Sequence, residues 1–125
     1  MRVATVAAGL ALIAVTAQAE ITRETFDAET VASLHELCSA DETTSAGKYA
    51  VGFCYGWIEG VGQFYEQLVS DSRFEFKSVV CTAGELTREE VRASFVNWAK
   101  ANPQSAGRPA LDGIFSALKE TYPCK

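Results

Sequence analysis

What the sequence has little of narrows its chemistry first. It holds one histidine, three prolines and one methionine, and its eleven basic residues are outnumbered by sixteen acidic ones. Without a basic footprint to displace phosphate counterions, DNA and RNA are poor partners. The same sign disfavours adsorption to anionic lipid. No apolar run reaches the roughly 20 residues that a permanent membrane span requires. The one candidate, Val3 to Val15, is too short and ends in Ala17-Gln18-Ala19, the small-x-small pattern that signal peptidase accepts. Met1–Ala19 therefore reads as an export signal cleaved after Ala19, and residues 20–125 as one domain. Arg2 leaves with the signal, so ten basic residues face sixteen acidic ones, a net charge of −6.

Four cysteines remain: Cys38, Cys54, Cys81 and Cys124. An even number in a short exported chain points to a disulfide framework, formed in an oxidising compartment. Spacings of 16, 27 and 43 residues lack the close Cys-x-x-Cys pairs that favour zinc, so no metal site is assigned.

The remaining pattern is helical. Val31, Leu34 and Cys38 recur at three- and four-residue steps, predicting a helix over Asp27–Cys38 capped by Thr25 or Asp27. A second helix is expected over Lys48–Ser70, with Phe53, Trp57, Val61, Phe64 and Leu68 as its apolar stripe, widened by Cys54, Ile58 and Tyr65. Gly52, Gly56 and Gly60 fall on one face of it, where they suggest close packing of another helix. Thr87-Arg88-Glu89-Glu90 is a capping box opening a third helix that continues to Ala101 and stops at Asn102-Pro103. A fourth starts at Pro109, with Leu111, Ile114, Phe115, Leu118 and Tyr122 as its buried stripe. The fold class is all-α, a small four-helix up-and-down bundle stapled by two disulfides. An up-and-down path brings Cys38 to Cys54 and Cys81 to Cys124, although the long 71–86 connection leaves Cys54–Cys81 open.

Residues 71–86 have no periodicity. Within them Phe74 and Phe76 alternate with Arg73, Glu75 and Lys77, which suits either an aromatic partner-binding loop or a cover for the bundle's open end. Catalysis has no comparable candidate, and no cofactor site is read. His35 lies three residues before Cys38, yet an oxidised sulfur is no nucleophile. Adjacent carboxylates such as Asp41-Glu42 and Glu89-Glu90 point in different directions on a helix, and capping accounts for Glu90.

Cys54-x-Gly56-Trp57-Ile58-x-Gly60, followed by Cys81, Thr87, Val91, Pro103, Ala117-Leu118 and Tyr122-Pro123-Cys124, resembles the Rap1a/Tai immunity-protein domain over about Leu37–Cys124. Trp57 stands where the family usually has tyrosine. Thr82 follows Cys81 where proline is frequent, and Asp71–Val80 is longer than usual. The resemblance implies a periplasmic protein, in many members a homodimer, that neutralises a peptidoglycan-cleaving amidase delivered by a type VI secretion system. It further implies that a protruding loop occludes the enzyme's cleft. A different class of function, a periplasmic acid-stress chaperone, would share the export, the helices and the disulfides. It would expose apolar surface on acidification.

Overall fold

The computed structural model describes residues 20–125, and the export-signal reading of Met1–Ala19 lies outside the described residues. After a 3-10 turn at Glu24–Asp27, four helices follow: α1 (Val31–Cys38), α2 (Ser45–Ser70), α3 (Arg88–Ala101) and α4 (Ala110–Thr121). A second 3-10 turn, Pro103–Ser105, links α3 to α4. Among the described residues there is no strand, and the all-α four-helix architecture stands as expected.

α1 starts at Val31, the first of its periodic residues, four positions later than the expected Asp27, and neither Thr25 nor Asp27 caps it. Ala28 adopts a left-handed conformation (φ 48°) that ends the preceding turn. Thr30 is the cap: its hydroxyl accepts from the Ser33 amide at 3.2 Å, and the Ser33 hydroxyl accepts from the Thr30 amide at 3.1 Å. Tertiary hydrogen bonds set this boundary. Val31 N–H donates to the Arg108 carbonyl at 2.8 Å, and Ala110 N–H to the Glu29 carbonyl at 2.8 Å, tying the start of α1 to that of α4.

α2 begins at Ser45, three residues earlier than expected, because Thr44 caps it through the Gly47 amide at 3.0 Å. Its buried arc runs through Ala50, Cys54 and Ile58 rather than through Phe53 and Phe64. Each residue turns a helix by about 100°, so centring the arc on Cys54 and Ile58 leaves Phe53 at its margin and Phe64 66% exposed. Leu111 is likewise displaced to the surface of α4, where Ala110, Gly113, Ile114, Ala117 and Leu118 are buried instead.

The close-packing role read for Gly52, Gly56 and Gly60 is not met within this chain. All three are exposed, and a methyl group added at any of them would meet nothing within 4 Å. Gly47 and Gly113 are the glycines at tight approaches. A methyl at Gly47 would collide with the Asp41 carbonyl, and one at Gly113 would lie 2.6 Å from Val31 Cγ2. The neighbour, not the spacing, decides which glycine is required.

The core centres on Val31, Leu34, Leu37, Phe95 and Ile114, closed on one side by the Cys38–Cys54 disulfide. The second disulfide joins Cys81 to Cys124 at the surface. Both pairs follow the up-and-down path, and Cys54–Cys81 is excluded.

Candidate partner-binding site

Between α2 and α3 the chain runs irregularly from Asp71 to Leu86, and it is held firmly where it leaves α2. The Asp71 carboxylate accepts from the Arg73 amide at 2.9 Å and from its guanidinium, while Phe74 N–H closes a turn on the Asp71 carbonyl at 3.0 Å. The Arg73 side chain, helped by its amide, holds the Asp71 carboxyl below the usual carboxylate range.

Tyr65 anchors the far side of the loop. Its hydroxyl accepts from the Val79 and Val80 amides at 2.8 and 3.3 Å and donates to Ser78 Oγ at 2.8 Å. Ser78 Oγ in turn donates to the Val80 carbonyl at 2.7 Å. This uses the one proton and two lone pairs of the phenol in full. The Tyr65 ring also takes Phe76 edge-on at 5.8 Å and meets Phe115 of α4 at 5.1 Å. A residue later, Cys81 is bonded to Cys124 and its amide donates to the Tyr122 carbonyl at 3.0 Å.

The sequence-designated residues Arg73, Phe74, Glu75, Phe76 and Lys77 all come to the surface as one short run between these anchors. Phe74 is 53% exposed, with the Arg73 guanidinium 6.0 Å from its ring centre. Phe76 is 41% exposed, its other side resting on Tyr65. Between them Glu75 has φ 48°, the left-handed region that costs a residue with a Cβ about 1 kcal/mol. Such strain persists only where surrounding anchors enforce it, and it collects at ligand clamps and binding loops. The arrangement offers two aromatic rings on a braced turn, with charge on both flanks. Tyr65 was missed as an anchor because its spacing on α2 made it one more stripe residue; the short-range sequence holds no sign of its loop partners.

The alternative sites carry less. Cys38 is bonded to Cys54, so the neighbouring His35 has no thiol to activate. Among the described residues no three His, Cys, Asp or Glu side chains converge to hold a metal. Arg92 donates to the Cys38 carbonyl at 2.7 Å and to the Tyr55 hydroxyl at 2.9 Å, and it pairs with Glu42 at 3.3 Å. Its bonds knit the first disulfide to α3, leaving little capacity for a ligand.

His35 has a structural consequence. Its Nε2 is buried without a hydrogen-bond partner, and burial first, then Lys100, lowers its pKa against the pull of Glu36. The unfolded histidine titrates near 6.5 and so binds protons more readily than the folded one. Stability is therefore expected to be fully present above pH ~6.5 and to fall as pH drops from there through the folded pKa. Urea midpoints measured across pH 5–7.5 should show this slope, and His35→Leu should flatten it. A slope that survives His35→Leu would assign it elsewhere.

No curated protein and no solved structure gives a significant match to the chain. The family model for Rap1a immunity proteins matches residues 30–124, from the cap of α1 through the closing disulfide. That match spans all four helices, both disulfides and the braced loop. The chain belongs to the Rap1a immunity protein family.

Proposed function

We propose that this protein acts in the periplasm by binding and inhibiting a peptidoglycan-cleaving amidase, seating the Arg73–Lys77 turn in the enzyme's substrate cleft. Family membership makes it an immunity-type protein, whose work is to bind another protein. The observation that carries the finer reading is the braced loop itself, with Phe74 outward and Tyr65 and the Cys81–Cys124 bond behind it. A pre-ordered aromatic turn loses little conformational entropy on docking, which is how a small surface becomes a tight inhibitor. The two disulfides fit the periplasmic part of this reading, since such bonds persist in an oxidising compartment.

The test begins with an amidase captured by the oxidised protein and follows inhibition of its hydrolysis of purified cell wall. Phe74→Ala should weaken binding about thirtyfold or more, the size of an aromatic hot spot. It should move the unfolding free energy by less than about 0.5 kcal/mol, because Phe74 is more than half exposed and lies outside the buried core. Full inhibition by Phe74→Ala would reject the loop. Failure of the native protein to inhibit any amidase would reject the enzyme class.

A further inference from the structure

Beside the Tyr65 brace, the bundle has a concave surface that none of Arg73–Lys77 lines. α2, α4 and residues 80–86 enclose a cleft of about 540 Å³ with Ile58, Val61, Ile114, Phe115 and Leu118 on its walls. The volume lies within the range of ligand sites and exceeds what one side chain fills. Beyond Ile58 no residue of α2 is fully buried, so this half of the helix is only partly covered by the rest of the bundle. The far wall is set in place by the Cys81–Cys124 bond and by the Cys81 amide on the Tyr122 carbonyl. The cleft is therefore preformed.

Its charge is one-sided. Glu66 and Glu85 line it, no lysine or arginine does, and among the described residues neither carboxylate has an ion-pair partner. An apolar floor selects an apolar side chain, and two unpaired carboxylates at the margin select cations beside it. We propose that this cleft binds an extended segment of a partner protein in which an apolar residue is flanked by lysine or arginine. None of Arg73–Lys77 lines the cleft, although Tyr65 and Val80 belong to both, and the proposal stands whether or not the amidase reading does.

The test needs no natural partner. The acetylated, amidated tetrapeptide KFLK, titrated into the oxidised protein, should shift the methyl resonances of Ile58, Ile114 and Leu118. Saturation is expected near or below ~1 mM. The peptide EFLE should bind about tenfold more weakly because like charges meet at the rim. In Glu66→Gln/Glu85→Gln the difference between the two peptides should vanish while the thermal midpoint holds, since both side chains are exposed. Absence of shifts at these methyls with either peptide, or equal binding of the two by the native protein, would overturn the proposal. So would the same shifts arising when the protein is merely concentrated, which would make a second copy the occupant.

Discussion

Replacing Cys81 and Cys124 together by serine is expected to lower the unfolding free energy by about 4 kcal/mol, roughly a thousandfold in the folding equilibrium. The bond closes 43 residues, against 16 for Cys38–Cys54, so it removes more freedom from the unfolded chain. The effect reaches beyond stability, because Cys81 ends the segment that Tyr65 braces. Without the bond, partner binding should weaken even at temperatures where the bundle stays folded. Accessibility gives the order of reduction. Cys38 and Cys54 are 0% exposed, whereas Cys81 and Cys124 lie at the surface, so limiting reductant should open the outer bond first. Urea unfolding of the serine variant, with mass spectrometry of partly reduced native protein, reads both effects. A loss below about 1 kcal/mol would show that the helices alone restrain this connection.

Phe95→Ala should cost about 3–5 kcal/mol, a large part of the 5–15 kcal/mol that holds a domain of this size together. Phe95 is fully buried at the meeting of α1, α3 and α4. Gly113 allows the close approach there: a methyl in its place would lie 3.1 Å from Phe95 Cε2 as well as against Val31. With both neighbours set by tight packing, the void left by alanine cannot readily collapse. The expected result is a lower urea midpoint with an unchanged slope. Phe95→Leu, which refills most of the space, should recover much of the loss. If alanine and leucine cost the same, the ring would not be filling the centre of the core.

The two helix starts that could be read well and badly show where short-range information ends. Thr87 and Glu90 lie three apart and satisfy each other's amides at 3.2 and 2.8 Å, so nothing distant is needed to place α3. α1 has an equally good local pair in Thr30 and Ser33, but Thr25 and Asp27 offered competing caps a few positions earlier. Only the Glu29–Ala110 and Val31–Arg108 hydrogen bonds show why the helix cannot start earlier. The candidate site divides in the same way. Its exposed run from Arg73 to Lys77 was legible as charge interleaved with aromatic residues where no period exists. The Tyr65 network that braces it joins residues thirteen to fifteen positions apart across a change of direction, and no pattern along the chain encodes that.

From residue order alone came the helices' number and approximate extent, a favoured disulfide pairing with one alternative left open, the absence of a basic face and the aromatic run. Each depends on neighbours a few positions away or on the simple alternation of chain direction. The folded bundle alone settled which side of α2 faces inward, and it placed Phe64, Leu111 and the Gly52, Gly56 and Gly60 face in solvent. A helix's apolar arc is broad enough to allow several rotations about its axis. The rotation adopted is the one that joins Cys54 to Cys38 and fits Gly113 against Val31 and Phe95, contacts made between residues far apart in the chain.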